Sequence, residues 1–150
     1  MAGIKYVHTN VVARDWLQLA QFYIKALGCK RKPPERDIEG AWLDRATSLK
    51  GAHLRGIHLE LPGYGHDGPT LEIFQYSRAK KRSASQIDKP GFAHIAFSVG
   101  DVAKALARVQ RHGGGRVGQI VSAEIEGVGP INFVYARDPE GNIIELQKWG

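Results

Sequence analysis

Four ionisable residues lie inside otherwise apolar, β-rich stretches of this 150-residue chain. They are two histidines and two glutamates: His8, Glu72, His94 and Glu145. A buried carboxylate must be paired, protonated or bound to a metal, because leaving it bare in an apolar environment is costly. A strand face exposed to water would explain one such residue. Four of them at matched positions in two similar halves are harder to explain in that way.

Two imidazoles and two carboxylates form a mixed nitrogen and oxygen ligand set, which suits Zn, Ni, Co, Mn or Fe(II) better than Ca or Mg. Side chains alternate along a strand, so each of these residues shares a face with its neighbours two positions away. If the two sheets curl toward a common cleft, each half contributes one histidine and one glutamate. Four protein ligands in an octahedral shell would leave two positions open for waters or a bidentate substrate.

The first half of the chain contains the elements that would position His8 and Glu72. A strand in IKYVHTNVVA precedes a helix in WLQLAQFYIKAL, with Asp15 as its N-cap and Gly28 as its stop. LRGIHLELP (54–62) and TLEIFQYS (70–77) predict strands. The proline-containing KRKPPERDIEG predicts a loop, and residues 41–52 predict a short strand followed by a loop or a helical turn.

The second half repeats this order. FAHIAFSV (92–99) predicts a strand, Asp101 caps the amphipathic helix VAKALARVQRHG, and glycines 113–115 end it. VGQIVSAEIE, PINFVYARD and NIIELQKW predict three further strands. The polar, basic stretch 78–91 predicts a linker, so we expect a single domain made of two modules, at about 1–77 and 92–150.

The two halves can be laid over one another without a gap. The shift that places His8 on His94 also places Asp15 on Asp101 and Gly28 on Gly114. After a change of register in the loops, TLEIFQ falls on NIIELQ and pairs the two glutamates. The repeat therefore gives each half one histidine and one glutamate at equivalent positions.

Composition narrows the possible partners. The net charge is +6 with a pI near 9.6, but the basic runs are not interleaved with aromatic residues as a base-stacking surface would be. We therefore expect a small anionic substrate and no nucleic acid. The single cysteine, Cys29, excludes an intrachain disulfide. No signal peptide and no apolar stretch of about 20 residues is visible, so we expect a cytoplasmic protein without a membrane partner.

The chain resembles the vicinal oxygen chelate superfamily, which includes glyoxalase I, methylmalonyl-CoA epimerase, extradiol dioxygenases and bleomycin-binding proteins. The resemblance lies in HTNVVARDWLQLAQFYIKALG, LEIFQY, GFAHIAFSVGDV and DPEGNIIEL, which span both halves. It implies an α+β fold of two tandem βαβββ modules that form a curled mixed sheet around a central metal cleft. By the motif match, the ligands of one divalent metal ion would be His8, Glu72, His94 and Glu145.

Among the branches, glyoxalase I is similar in its ligand order of His, Glu, His, Glu. This resemblance implies a lyase or isomerase that chelates two vicinal oxygens and moves a proton through an enolate-like intermediate, with Glu145 or Glu72 as the base. The loop at 33–57 and the hairpin GYGHDG depart from the stretches expected around glutathione. An epimerase of a 2-substituted acyl-CoA, an extradiol-type dioxygenase and a metal-free binding or resistance protein remain alternatives.

Other residues have lesser predicted roles. Phe74, Tyr76, Tyr135 and Arg137 could line the substrate pocket, although Arg137 could instead brace the turn at Asp138, and Phe74 could simply pack in the core. We interpret the remaining histidines, His53, His58, His66 and His112, as ordinary surface or partly buried residues. We expect a homodimer, because small curled sheets of this type commonly cover an edge by pairing.

Overall fold

The computed structural model describes residues 3–150 and divides into two compact units, one extending to Lys81 and the other spanning Arg82–Gly150. Unit 1 consists of β1 (His8–Val12), α1 (Trp16–Leu27), β2 (Lys30–Glu39), α2 (Ala41–Thr47), β3 (His53–Glu60) and β4 (Thr70–Tyr76). Unit 2 consists of β5 (His94–Ser98), α3 (Val102–Arg111), β6 (Gly115–Arg116), β7 (Val121–Ile125), β8 (Gly129–Arg137) and β9 (Ile143–Trp149). The mixture of helices and strands confirms the predicted α+β class.

Unit 1 is a four-stranded mixed sheet in the order β1-β4-β3-β2. β1 runs parallel to β4, and the other pairs are antiparallel. α1 packs on the inner strands β3 and β4. Its predicted apolar stripe is buried, and its core-facing residues include Leu19, Ala20 and Tyr23. Asp15 caps the helix by accepting a hydrogen bond from the Gln18 amide at 3.0 Å, as predicted.

Gly28 ends α1 in the left-handed region, at φ 77°, which glycine adopts without a steric cost. The chain then turns directly into β2. The predicted stop and the predicted cap are both confirmed. Both ends of α1 are therefore fixed by residues within one turn of the helix.

Unit 2 repeats the plan with the strand order β5-β9-β8-β6, and β7 also pairs with β8. α3 packs on β8 and β9 through an apolar face that includes Val102, Leu106 and Val109. Asp101 caps α3 by accepting from the Lys104 amide at 2.9 Å, which confirms the second predicted cap. The two-residue strand β6 was not predicted. Its first residue, Gly115, belongs to the glycine run that the sequence analysis interprets as the end of the helix.

The prediction of a loop in KRKPPERDIEG is wrong, because these residues form β2. Proline lacks the amide hydrogen that a ladder needs, but it is tolerated at the edge of a sheet and at bulges. β2 is the edge strand of unit 1, and its pairing with β3 shifts register between Lys32 and Arg36. Pro33 and Pro34 lie within that irregularity, so the ladder continues on both sides of them.

The short strand predicted within residues 41–52 is also wrong. Ala41–Thr47 forms α2, and Leu43 is its buried residue. No side chain caps the helix at its start. Instead, Asp44 accepts hydrogen bonds from the amides of Gly51 and Ala52, at 2.8 and 2.7 Å. These hydrogen bonds join residues seven and eight positions apart, which is beyond the single turn that a capping pattern covers.

The register of the parallel strand pairs confirms the repeat. His8 pairs with Thr70, and His94 pairs with Ile143. In each unit the glutamate lies two residues after the partner of the histidine. Within residues 3–150, no helix combines the length and the apolar character that crossing a membrane requires.

Candidate metal centre

In unit 1, Glu72 lies in the middle of β4 with neighbours on both sides. Its pairing partner in β1 is Asn10, and its pairing partner in β3 is His58. Glu72 is 9% exposed, so it is among the buried polar residues of the protein. A carboxylate at this depth needs strong hydrogen-bond partners or a cation.

Three side chains surround the Glu72 carboxylate. Asn10 donates from Nδ2 to Oε1 at 2.8 Å, and His58 Nε2 lies 2.7 Å from Oε2. His8 Nε2 lies 3.7 Å from Oε1. His8 and Glu72 therefore lie close together within this unit, and each carboxylate oxygen also has a close polar neighbour. Their role as metal ligands stays a prediction.

His58 is the residue that the sequence interpretation missed. It was treated as an ordinary histidine, yet its ring touches Glu72 and lies 5.7 Å from the ring of His8, centroid to centroid. The available signal was its position between the buried Ile57 and Leu59, which puts it on the opposite face of β3. The pairing of that face with Glu72 depends on strand register, which sequence does not specify.

Thr70 contacts the ring nitrogen of His58 that faces away from Glu72. Its Oγ1 lies 3.0 Å from Nδ1 of His58. A hydroxyl can donate or accept, so Thr70 fits either neutral tautomer of the ring. In this geometry a neutral His58 ring donates from Nε2–H to Glu72, and its Nδ1 accepts from the Thr70 hydroxyl. The other neutral tautomer, with Nδ1–H donating to Thr70, would leave a lone pair on Nε2 for a metal ion. This second hydrogen bond is the usual way in which a metal-binding imidazole is oriented.

Electrostatics favour the neutral imidazole of His58. Burial lowers the pKa of His58, and the charges of Arg36, His8 and Lys32 lower it further, while Glu72 opposes these effects. A neutral ring is the form that binds a metal ion. The local environment therefore keeps His58 in its ligand-competent state.

Unit 2 holds its own pair. His94 Nε2 lies 3.0 Å from Oε2 of Glu145, and the two residues belong to the parallel strands β5 and β9. Tyr135 in β8 pairs with Glu145, and its ring centroid is 5.1 Å from that of His94. Burial raises the pKa of the Tyr135 hydroxyl, and the Glu145 carboxylate adds to that increase. Tyr135 therefore stays protonated near neutral pH.

The remaining predicted pocket residues have defined neighbours. Phe74 lies beside His58, with ring centroids 6.0 Å apart, and packs with Tyr76 on the buried cluster around Leu43 and Leu54. Arg137 donates to the carbonyls of Ser85 and Gly141, each at 3.0 Å. It thus makes the contact with the turn after Asp138 that we considered as its alternative role. Substrate binding by Phe74, Tyr76, Tyr135 and Arg137 stays a prediction.

Two other histidines pair with surface carboxylates: His53 with Asp37 and His66 with Glu60, both at 2.6 Å. Cys29 is buried, which raises the pKa of its thiol to about 12. The thiol is therefore protonated under ordinary conditions and is not an activated nucleophile.

The donor set of unit 1 fits a divalent ion. One ligand atom each from His8, His58 and Glu72 lies within 4.8 Å of the other two. Two imidazole nitrogens and one carboxylate oxygen form a combination that first-row transition metals bind. Unit 2 by itself holds one imidazole and one carboxylate in contact with one another.

Units built on a βαβββ plan, each with a histidine–glutamate pair on adjacent parallel strands, define an α+β fold of the glyoxalase type. Residues 5–146 match the family model of the Glyoxalase/Bleomycin resistance protein/Dioxygenase superfamily. The chain belongs to this superfamily, which includes many enzymes and whose members commonly bind a divalent metal.

Individual relatives support the same fold. The uncharacterized protein YaeR of Escherichia coli K12 is 26% identical over 97% of this chain and 98% of its own length. A glyoxalase family protein from Bacillus cereus superimposes with a TM-score of 0.75 at 20% identity, over 99% of this chain and 95% of that one. A glyoxalase I mutant from Zea mays gives a TM-score of 0.64 at 20% identity, over 95% of this chain and 46% of that one.

Proposed function

We propose that the protein is a divalent-metal-dependent lyase or isomerase of glyoxalase type that acts on a small anionic substrate. The proposed ligands are His8, Glu72, His94 and Glu145. The observation that supports this most directly is that each unit holds a histidine and a glutamate in contact on two parallel strands. In both units the glutamate lies two residues after the pairing partner of the histidine. The joint ligand role of all four residues comes from the family resemblance.

When bound, a divalent ion supplies Lewis-acid polarisation of two neighbouring substrate oxygens, which makes the adjacent C–H acidic. The proton then needs a carboxylate that can take it up and return it to the next carbon. Glu72 is held by Asn10 and His58, whereas Glu145 is held by His94. We assign the proton transfer to Glu145, because its carboxylate has fewer hydrogen bonds to give up when it moves.

Metal analysis tests the first part of the proposal. Chelator-treated protein is reloaded separately with Zn, Ni, Co, Mn or Fe(II), and the bound metal is counted after desalting. We expect about one ion per chain in the wild type, and a strong loss in both His8→Ala and His94→Ala. His66→Ala is the matched control, because the His66 side chain is exposed and pairs with Glu60, outside the proposed ligand set.

If the wild type bound less than about a tenth of an equivalent of every ion, and His8→Ala bound small ligands like the wild type, the protein would instead be a metal-free binding protein. Retention of a full equivalent by His94→Ala would remove the residues of unit 2 from the proposed ligand set.

Proton NMR in D₂O distinguishes the possible reactions. The metal-loaded protein is incubated with the thiol adduct of a 2-oxoaldehyde and, separately, with a 2-substituted acyl thioester. A glyoxalase-type enzyme converts the first to a 2-hydroxyacyl thioester, whereas an epimerase only exchanges the α-hydrogen of the second. Glu145→Gln should lower the rate by at least about 100-fold, since a positioned base contributes that much.

We also propose that the protein is a homodimer, as superfamily members often are. Light scattering at several concentrations measures this directly. A mass that corresponds to one 16.5 kDa chain at all concentrations would contradict it.

A further inference from the structure

The edge strand β2 separates its charges between the two faces of the unit 1 sheet. Lys32 pairs with His58, and Arg36 pairs with Gly56 two residues away. Paired residues project to the same face, so Lys32 and Arg36 lie on the face that holds Glu72 and His58. Asp37 pairs with Arg55 and projects to the opposite face, where it contacts Arg55 and His53.

The proline-containing irregularity creates this arrangement. Between Lys32 and Arg36 the strand advances four positions, while the partner strand advances two, from His58 to Gly56. Both numbers are even, so the two cations stay on one face although extra residues intervene. Without the insertion, Arg36 would lie two positions farther along the sheet from Lys32.

Neither cation is neutralised by a carboxylate within the described part of the chain. The Lys32 ammonium donates to the carbonyl of His66, and the Arg36 guanidinium donates to the carbonyl of Pro34. Both residues are half-buried, unlike Arg31, which lies between Lys32 and Lys30 and pairs with Glu35. Half-buried cations without an acidic partner keep a strong attraction for an external anion.

The charges of Lys32 and Arg36 reach the candidate metal centre. Lys32 is the β2 partner of His58, the ring that contacts Glu72, and Arg36 is the partner of Gly56 on the same face. Both positive charges would therefore attract a negatively charged substrate group beside His58. The next pair along this face, Ile38 with Leu54, belongs to the apolar cluster under α2 and adds no charge.

We propose that Lys32 and Arg36 form an anion subsite that binds the carboxylate or phosphate group of the substrate next to the His8–His58–Glu72 cluster. The subsite rests on the proposed function, because it names the charged end of the molecule whose vicinal oxygens would be chelated. Arg36 can hold such a group through two parallel N–H donors, and Lys32 adds a compact positive charge.

The test uses chelator-treated full-length protein, so that it does not depend on metal or turnover. Inorganic phosphate and malonate are titrated separately at constant ionic strength, and binding is followed through amide NMR shifts. The test variant is Lys32→Met with Arg36→Met. The control is Arg31→Met in β2 with Arg55→Met in β3, which removes the same charge from the opposite face of the sheet. Melting temperatures check that both variants are folded.

We expect binding of one or both anions, with the largest shifts at Lys32, Arg36 and His58. The test variant should bind about tenfold more weakly or worse, since each lost contact is a hydrogen bond to a charged group. The control should stay within about twofold of the wild type. A preference for phosphate or for malonate identifies the anionic group. If the single variants Lys32→Met and Arg36→Met each weaken binding, both residues belong to the subsite.

Equal weakening in the test and control variants would overturn the subsite, as would shifts confined to other parts of the protein or no binding by the wild type. Failure of the proposed function looks different. In that case the wild type binds no metal, yet the binding of phosphate or malonate still depends on Lys32 and Arg36. Conversely, the wild type could bind a full equivalent of metal while anion binding does not depend on Lys32 or Arg36. That result would refute the subsite alone.

Discussion

The two units place a glutamate at the same register position but surround it differently. In unit 1, Glu72 lies between Asn10 and His58, and both side chains contact its carboxylate. In unit 2, the same two register positions beside Glu145 hold Ala96 and Tyr135. Ala96 has no polar group to offer.

Each half of the repeat therefore has a histidine–glutamate pair, and the residues beside the glutamate differ. Unit 1 offers three ligand atoms in a compact cluster and holds its carboxylate from both sides. Unit 2 offers two, with a protonated tyrosine beside them. We therefore expect unit 1 to contribute more to metal affinity, and the carboxylate of unit 2 to move more freely.

The next row of each sheet differs in size as well as in polarity. Gly56 pairs with Phe74 in unit 1, whereas Phe133 pairs with Gln147 in unit 2. The Phe74 ring covers Gly56 so closely that a Cβ there would lie 2.7 Å from Cδ1 of Phe74 and 2.0 Å from the carbonyl oxygen of Ile73. Unit 1 thus has no space for a side chain at Gly56, directly beside the candidate metal centre.

The largest expected effect is on stability. Gly56→Ala should reduce the free energy of unfolding of unit 1 by about 3 kcal/mol or more, because the new methyl group meets backbone that cannot move aside. Urea denaturation measures the loss. Cys29, the only cysteine and buried in unit 1, reports opening of that unit through its reactivity with a thiol reagent.

Gly65→Ala is the control for Gly56→Ala, because nothing lies within 4 Å of the added Cβ. It should change stability by less than about 0.5 kcal/mol. Equal stability of the two variants would show that the packing around Gly56 is looser than the close contacts to Phe74 and Ile73 indicate.

Metal affinity should separate the two units at equivalent positions. His58→Phe removes a ring nitrogen next to Glu72, and we expect about 10- to 100-fold weaker binding of Co(II), measured by competition with a chromophoric chelator. Tyr135→Phe makes the same residue at the matching position of unit 2 and should cost less than about threefold. Equal losses would mean that the supporting residues of the two units are equivalent.

Asn10 should have a smaller effect of the same kind. Asn10→Ala removes the hydrogen bond to Glu72 and gives unit 1 the residue type that unit 2 has at Ala96. We expect about fivefold weaker metal binding, which corresponds to one hydrogen bond. Asn132→Ala removes an amide that bonds to Ser122 and to the Val121 carbonyl. It should leave metal affinity unchanged, and an equal loss there would point to a general effect on folding.

The smallest expected effect is on the pH dependence of stability without metal. His58 has a lowered pKa in the folded protein, so the unfolded chain takes up this proton first as the pH falls. The stability that the folded protein gains from a neutral His58 is fully present above pH 6.5, the ordinary pKa of histidine. It is lost as the pH falls below that value. His58→Gln should flatten the decline in urea midpoint between about pH 7 and 5.5, whereas Tyr135→Phe should leave its slope unchanged. The same slope in His58→Gln would contradict this assignment.

Local signals explain which parts of the fold were predictable. The caps at Asp15 and Asp101 and the stop at Gly28 depend on residues within one turn of each helix, so their chemistry is visible in sequence. The prolines of β2 misled the interpretation, because their tolerance depends on the strand lying at a sheet edge. α2 was missed for a similar reason, since the contacts that close its loop are made after the helix ends.

The candidate site was only partly predictable. The repeat was enough to select His8, Glu72, His94 and Glu145, because two equivalent positions reinforced each other. His58 has no histidine counterpart in the second half, where Tyr135 occupies its place. A search for repeated chemistry could not find it.

The sequence by itself determined α1, α3, most strands, the twofold repeat and the resemblance to the superfamily, since these follow from periodicity, capping and motif spacing. Only the tertiary structure decided which side chains meet across strands. Register brings His58 to Glu72, and the irregularity in β2 keeps Lys32 and Arg36 on the same face. These contacts join residues far apart in the chain, and a shift of one residue in either strand would reverse the faces and separate them.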